Sequence, residues 1–147
     1  MYDTNHDSNK SEIILAQWRT CVEMANSVSQ RRDSMNNIFI TLNLAIIATI
    51  SISWNIKSLF LLASGIVFCG VWLAFIKNYK LLNREKFKVI DSLESQLPTR
   101  PFREEWEKLQ EVKKYKDGTF LEKVLPITFI CIYGFALLFT VITNFFV

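Results

Sequence analysis

Residues 34–56 read SMNNIFITLNLAIIATISISWNI and residues 58–76 read SLFLLASGIVFCGVWLAFI, and neither stretch contains a charged side chain. A third stretch without charge covers residues 124–147. An α-helix needs about 20 mostly apolar residues to cross the roughly 30 Å hydrocarbon core of a bilayer, and each stretch is long enough. The sequence therefore predicts an all-α membrane protein with three transmembrane helices.

The basic residues predict how the chain is oriented. Of the 17 Lys and Arg residues, 16 lie before the first apolar stretch or between the second and the third, which leaves Lys57 alone on the other side. Basic residues stay preferentially in the cytoplasm. We therefore expect a multi-pass protein with a cytoplasmic N-terminus and a periplasmic or extracellular C-terminus. Anionic membrane lipids are expected partners of the basic residues beside the bilayer, whereas the interleaved acidic residues argue against nucleic acid.

The first two apolar stretches continue into polar sequence that keeps a helical period. Residues 11–33 carry apolar side chains at spacings of four and three, which predicts a helix with a narrow apolar seam formed by Ile14, Trp18, Cys21, Ala25 and Val28. Residues 77–97 keep an apolar face up to Pro98, which includes Tyr79, Leu82, Phe87, Ile90, Leu93 and Leu97. Because residues 54–58 allow only a short turn, we predict that the two helices extend into a cytoplasmic antiparallel hairpin.

The remaining segments are shorter. Residues 1–10 contain turn formers and charge without periodicity, which predicts a disordered tail followed by an N-cap at Ser11. Residues 98–119 predict a linker that contains a short amphipathic helix at 102–112. Residues 120–147 predict the third membrane helix, with Pro126 in an early turn.

Patterns typical of catalysis or metal binding are missing from the sequence. His6 is the only histidine, and the three cysteines are far apart without a CxxC pair. Gly-rich phosphate loops, GxSxG elbows and HExxH pairs are also missing. We therefore expect no enzyme activity, no cofactor and no metal site, and we interpret the Asp and Glu residues as solvated partners of nearby Lys and Arg.

Two polar residues, Thr41 and Asn43, lie in the first apolar stretch. A buried amide without a partner costs about 1–3 kcal/mol, so Asn43 is expected to bind a neighbouring helix. The alternative is a polar ring that lines a pore in an oligomer and also includes Ser64. The lack of Asp, Glu, Lys and Arg inside the apolar stretches disfavours a proton relay or a voltage sensor.

Small residues are concentrated in the second apolar stretch, at Ala63, Ser64, Gly65, Cys69 and Gly70. Small side chains permit close approach of helices, either within one copy or between copies. We therefore predict helix packing at Ala63, Gly65 and Gly70.

Basic residues next to the membrane allow two interpretations. Arg31 and Arg32 precede the first apolar stretch, and a second group follows the second stretch at Lys77, Lys80, Arg84, Lys86 and Lys88. These residues either determine topology and pair with Asp33, Glu85 and Asp91, or bind anionic lipid or an acidic ligand.

A series of motifs covers most of the chain. Before the first span come Val22-Glu23-Met24-Ala25 and Ser29-Gln30-Arg31-Arg32, and the span itself contains Phe39 and Asn43. After the second span comes Tyr79-Lys80-x-Leu82-Asn83-x-x-Lys86-Phe87-x-Val89-Ile90. The series continues with Glu94-x-x-Leu97-Pro98-x-x-Pro101 and Glu105-Trp106, and it ends with Glu122 and Pro126. From about Ile14 to Pro126 the chain resembles the RipA family of octameric membrane proteins, which are small bacterial inner-membrane proteins.

This resemblance implies a bacterial cytoplasmic membrane and a homo-octameric ring. It supplies no catalytic residues, so we interpret the motif positions as determinants of fold or assembly: Arg31, Arg32, Tyr79, Asn83, Lys86, Phe87, Pro98, Pro101 and Trp106.

The favoured hypothesis is a non-enzymatic assembly protein whose cytoplasmic crown of helices binds another protein or responds to envelope stress. The alternative is a pore or a membrane-perturbing effector. An enzyme that acts on lipid through Arg31, Arg32 and the lysine group ranks last.

Overall fold

The computed structural model describes residues 4–52, 58–112 and 118–145, with side chains for residues 9–52, 58–112 and 118–143. These residues form four α-helices, which are α1 (Thr4–Ile52), α2 (Ser58–Glu94), α3 (Pro101–Glu111) and α4 (Gly118–Phe145). No strand occurs within the described ranges. The helices α1, α2 and α4 are long and apolar enough to cross a membrane, which confirms the all-α class and the three membrane helices.

The helix α1 begins earlier than the sequence predicted. Residues 4–10, expected as a disordered tail, are helical, so the N-cap predicted at Ser11 is wrong. No Gly or Pro occurs between Thr4 and Ser11, so nothing interrupts the hydrogen bonds of the helix toward the N-terminus. Residues 1–3 and most of the expected turn at 54–58 lie outside the described residues.

The helix α2 ends at Glu94, three residues before the expected end at Leu97. Backbone hydrogen bonds between residues three apart form a tighter turn here. They run from Gln96 N to Leu93 O at 3.1 Å and from Leu97 N to Glu94 O at 3.0 Å. The helix α3 then begins at Pro101, one residue earlier than expected, since proline fits a first helical position that needs no N–H.

The helix α4 also begins early, at Gly118, so the last two residues of the predicted linker are helical. Residues 113–117 lie outside the described part of the chain. Pro126 is therefore the ninth residue of α4 and not part of its first turn. Its missing N–H removes the hydrogen bond to the carbonyl of Glu122.

The chain divides into two compact units. The charged unit comprises Met1–Arg31 and Tyr79–Lys116, and the apolar unit comprises Arg32–Asn78 and Asp117–Val147. Of the 17 basic and 14 acidic residues, the apolar unit contains only Arg32, Asp33, Lys57, Lys77, Asp117, Glu122 and Lys123. The helices α1 and α2 contribute residues to both units.

In the charged unit, α1 and α2 pair in antiparallel fashion. Trp18 on α1 donates a hydrogen bond to Glu94 on α2, and both helices line a groove, with Gln17 and Cys21 on α1 and Val89 and Leu93 on α2. The core is formed by Ala25, Val28 and Ile90, which are buried. Two residues of the predicted apolar face, Leu82 and Phe87, are 45% and 39% exposed, so that part of the face is not enclosed by its own unit.

In the apolar unit, α1, α2 and α4 share a core. One buried cluster joins Ile46, Ile50, Leu62, Cys69 and Tyr133, and a second joins Phe39, Trp72 and Ile76. Because lipid is as apolar as these side chains, burial alone gives little drive for helix association in a membrane, and close packing and hydrogen bonds matter more. The polar contacts of this unit therefore define where its helices meet.

Candidate functional site

A buried polar cluster in the apolar unit joins Asn43 on α1, Cys69 on α2 and Tyr133 on α4. All three residues are 0% exposed. The Tyr133 hydroxyl donates to Asn43 Oδ1 at 2.8 Å, and the Cys69 thiol donates to the same oxygen at 3.3 Å. The Asn43 amide nitrogen donates to the carbonyl of Phe39 at 2.7 Å. One side-chain amide thus links the three apolar helices.

The polar residues of the spans differ in their positions. Asn43 lies inside the protomer, in a position that suits interhelical hydrogen bonding, whereas Thr41 and Ser64 are exposed on the apolar unit. The hydroxyl of Ser64 donates to the carbonyl of Phe60 at 2.7 Å. The three residues proposed for a pore ring therefore do not share one surface.

The close approach of α2 and α4 depends on Gly65. A Cβ atom added at Gly65 would lie 2.5 Å from Cε2 of Tyr133, well inside van der Waals contact. The other small residues are placed differently. Ala63 and Gly70 are exposed, and a Cβ atom added at Gly70 would meet no atom of the described residues within 4 Å. Packing within the protomer thus involves Gly65 but not Gly70.

A second polar contact lies between α1 and α2. The indole N–H of Trp72 donates to Oδ1 of Asn36 at 2.8 Å, and its ring stacks on Phe39 with 5.6 Å between centroids. Trp72 itself is 1% exposed. This contact satisfies the only polar atom of a large buried side chain, as buried tryptophan usually requires.

An ion pair joins α1 to α4. The Arg32 guanidinium donates through Nε to Oε2 of Glu122 at 2.8 Å and through Nη2 to the Thr119 hydroxyl at 3.1 Å, and Nη2 also contacts Glu122. The two charged side chains are 16% and 23% exposed. One sequence interpretation paired the basic residues with Asp33, Glu85 and Asp91, so Glu122, 90 residues away, is a partner that it did not include. Arg31 is exposed.

The other ion pairs agree only in part with the sequence interpretation. Glu85 pairs with Lys88 at 2.8 Å and with Arg84 at 3.3 Å, as expected. Asp91 instead pairs with Arg103 on α3 at 3.3 Å. The hydrogen bond from Arg103 to Glu107 and the charge of Asp91 raise the pKa of the Arg103 guanidinium.

In the charged unit, Glu94 connects α2 to α3. The side chain of Glu94 is 0% exposed. It accepts hydrogen bonds from the indole N–H of Trp18 and from the backbone N–H groups of Phe102 and Arg103, each at 3.3 Å. Arg100, at the N-cap of α3, makes no side-chain cap bond. The Glu94 carboxylate therefore caps α3 from another helix, where a negative charge is favourable.

This burial contradicts our interpretation of the acidic residues as solvated partners of Lys and Arg, at least for Glu94. Aromatic contacts support the same junction. Phe102 packs against Trp18 with 5.9 Å between ring centroids and edge-on against Phe87 at 5.7 Å.

The remaining motif residues occupy varied positions in the charged unit. Tyr79, Asn83 and Lys86 are partly buried on α2, and Oδ1 of Asn83 is buried with no hydrogen-bond partner among the described residues. Pro98 lies in the turn after α2, and Pro101 begins α3. Trp106 is 51% exposed on α3.

Sequence reasoning missed three residues that connect helices: Tyr133, Glu122 and Glu94. A signal existed for Glu94, since a helix that begins Arg-Pro has no capping side chain of its own and needs an acceptor from elsewhere. Tyr133 is the only tyrosine in a charge-free stretch, and a buried hydroxyl requires a partner.

Within the described residues, no group of three or more His, Cys, Asp and Glu side chains is arranged to hold a metal ion. The polar contacts described above are junctions between helices.

Comparison with known proteins agrees with the three apolar helices of the structure. The sequence model of the octameric membrane protein family (8xMP) matches residues 15–142. No curated protein and no solved structure gives a match. The matched region covers most of each of the three apolar helices and includes the helix junctions at Asn43 and Glu94. The chain therefore belongs to the octameric membrane protein family.

Proposed function

We propose that this protein is a non-enzymatic assembly protein, in which eight copies form a ring and the charged unit binds other proteins. The observation that carries the proposal is the exposed apolar surface of the charged unit. Met24, Val89 and Trp106 are each about half exposed, at 50%, 52% and 51%. Trp and Met are enriched at protein interfaces relative to the rest of the protein surface. The family description supports self-assembly as one such interaction.

The proposed location is the cytoplasmic membrane of a bacterium, with the charged unit in the cytoplasm and the C-terminus outside. The distribution of Lys and Arg along the chain supports this orientation. The resemblance to the RipA family supports the bacterial membrane. A response to envelope stress is proposed from the amount of charged sequence outside the apolar stretches. Anionic lipids are proposed to bind the exposed basic side chains, such as Arg31 and Lys80.

The absence of enzyme activity is part of the proposal. The most buried carboxylate, Glu94, is engaged in capping α3, and Arg32 is engaged with Glu122. These side chains serve helix junctions, which supports a structural role. Turnover of a membrane lipid that is lost in an Arg31→Ala variant would contradict this part.

A second candidate function is a pore. Thr41 and Ser64 are exposed on the apolar unit, and hydroxyl groups on that surface suit a water-filled path between copies. Because Asn43 is buried in the protomer, Thr41→Val and Ser64→Ala are the variants that test this function, and Asn43→Leu tests packing.

The deciding experiment combines the mass of the particle in lipid nanodiscs with current recordings in planar bilayers. An octamer without unitary currents supports the assembly protein. An octamer whose currents fall in the Thr41→Val or Ser64→Ala variant supports the pore. A monomer or a dimer in both nanodiscs and native membranes contradicts the assembly proposal.

A further inference from the structure

A groove on the charged unit lies between α1 and α2. It has a volume of about 420 Å³ and is lined by Ala16, Gln17, Thr20, Cys21, Val89 and Leu93. Exposed apolar side chains extend its surface along α1, since Ile13 lies four residues before Gln17 and Met24 lies four residues after Thr20. Residues four apart share a helix face. The groove thus belongs to a longer apolar strip that its own protomer does not cover.

A second apolar feature of the same unit is Trp106 on α3. This helix is fixed to α2 through three contacts, namely the Phe87–Phe102 ring contact, the Asp91–Arg103 ion pair and the Glu94 cap. Trp106 takes part in none of them and is 51% exposed. Trp is among the residues that contribute most to protein interfaces when an exposed side chain enters a pocket.

The groove and α3 lie on opposite sides of α2. At about 100° per residue, the groove positions Val89 and Leu93 lie about 150° around the helix axis from the positions that hold α3, which are Phe87, Asp91 and Glu94. One copy of the charged unit therefore presents a groove on one side and an exposed indole near the other.

A closed ring built from one kind of contact needs this arrangement. Each copy must contact its two neighbours through two different surfaces, because a contact between identical surfaces ends at a dimer. The family forms octamers. A cavity of about 150 Å³ accepts benzene, so the groove has room for an indole ring.

We propose that Trp106 of each copy inserts into the groove between α1 and α2 of the next copy, so that the groove is the site for a second copy of this chain. The inference rests on the proposed function, since it names the contact that closes the assembly. It assigns a role to the exposed Trp106 and to the uncovered Val89 and Met24.

The test is directed disulfide formation with the native thiol of Cys21, which lines the groove. Gln110→Cys places a thiol on the exposed surface of α3, about 40° around the axis from Trp106. Cys131→Ala is included to remove the exposed thiol of the apolar unit. Oxidation or a short bis-maleimide in nanodiscs should give a ladder of linked chains that extends beyond the dimer.

Two controls make the result specific. Adding Cys21→Ser should abolish the ladder. Glu104→Cys, which lies about 160° from Trp106 on α3, should give no ladder in place of Gln110→Cys. A ladder that stops at dimers, or one that persists without Cys21, would overturn the proposed contact.

Substitution of the indole gives an independent measurement. Trp106→Ala should weaken self-association in a detergent dilution series by at least about tenfold, and Trp106→Phe should weaken it less. If wild type is octameric and Trp106→Ala associates equally well, the contact is wrong while the assembly proposal survives. If wild type is not octameric, the proposed function fails first.

Discussion

Within each of the two units of this protein a buried polar group joins the helices, but the surroundings of that group are opposite. The apolar unit is joined by polar groups inside an apolar setting, of which the Asn43 amide is the centre. The charged unit has a small apolar core around Ile90 in a charged setting, and one carboxylate, Glu94, fixes its third helix. In each unit a buried, hydrogen-bonded polar group determines which helices meet, because a buried group has few alternative partners.

This difference has a physical origin. Apolar side chains inside a membrane can contact lipid instead of each other, so they specify helix pairing weakly. Charged side chains in water can bind water instead of each other, so exposed ion pairs also specify little. A buried hydrogen bond in either setting has no such substitute, and an unpaired buried group is costly.

The largest loss of stability is expected for the Glu94→Ala variant. This change leaves the indole of Trp18 and two backbone N–H groups of α3 without their acceptor, which should cost about 3 kcal/mol of local stability. Amide hydrogen exchange of residues 101–111 should become much faster, while exchange in the apolar unit stays unchanged. Glu104→Ala, on the exposed side of α3, is the matched control. Unchanged exchange in the Glu94→Ala variant would contradict the capping role.

A somewhat smaller loss of stability is expected for the Gly65→Val variant in the apolar unit. The added side chain would overlap the Tyr133 ring, and overpacking of this kind costs about 2 kcal/mol. The Tm of the particle in nanodiscs should fall. Gly70→Val, in the same helix but with open space around its Cβ position, should leave the Tm near that of wild type. Equal losses for the two variants would mean that helix propensity, and not the contact with Tyr133, governs stability.

Asn43→Leu should destabilise the apolar unit by about 1 kcal/mol, in the range measured for hydrogen bonds between membrane helices. Tyr133→Phe removes the partner hydroxyl. If the 2.8 Å bond is the interaction lost, the double variant should be less destabilised than the sum of the two single variants. Thermal unfolding of all four proteins in the same lipid gives this coupling energy. Strict additivity would contradict a stabilising bond between these residues.

The smallest change in Tm is expected when the exposed ion pair between Lys88 and Glu85 is removed. The two side chains are 63% and 50% exposed. Lys88→Gln should leave the Tm unchanged, because solvent screens such pairs. Arg32→Gln should lower the Tm measurably, since Arg32 and Glu122 are only 16% and 23% exposed. A larger loss for Lys88→Gln than for Arg32→Gln would reverse the order that burial predicts.

The sequence predicted helices better than helix junctions. Charge-free stretches and apolar periodicity depend only on local composition, and they gave the fold class and the three membrane helices. The need of Asn43 for a partner was also predictable from one residue. Its partner Tyr133 was not, because the rotation of α4 about its axis is determined by packing, such as the approach at Gly65, and not by spacing along the chain.

Contacts between residues far apart in the sequence explain the other differences between the sequence predictions and the structure. Arg32 has Asp33 beside it in sequence, yet successive residues on a helix point in different directions, so Glu122 on α4 is the better-placed acid. Glu94 resembles any other surface acid until the start of α3 is placed next to it. The exposure of Trp106 could not be predicted from its residue type, since a large aromatic side chain is usually buried.

The connections of α1 to α4 have a consequence for biogenesis. Asn43 and Arg32 each have a partner 90 residues later in the chain, at Tyr133 and Glu122. During synthesis, the first helix therefore enters the membrane long before either partner has left the ribosome. The bond from the Asn43 amide nitrogen to the carbonyl of Phe39 can form within α1 at once, which lowers the cost of inserting that amide alone. The polar contacts of α1 are thus completed only after α4 has been made.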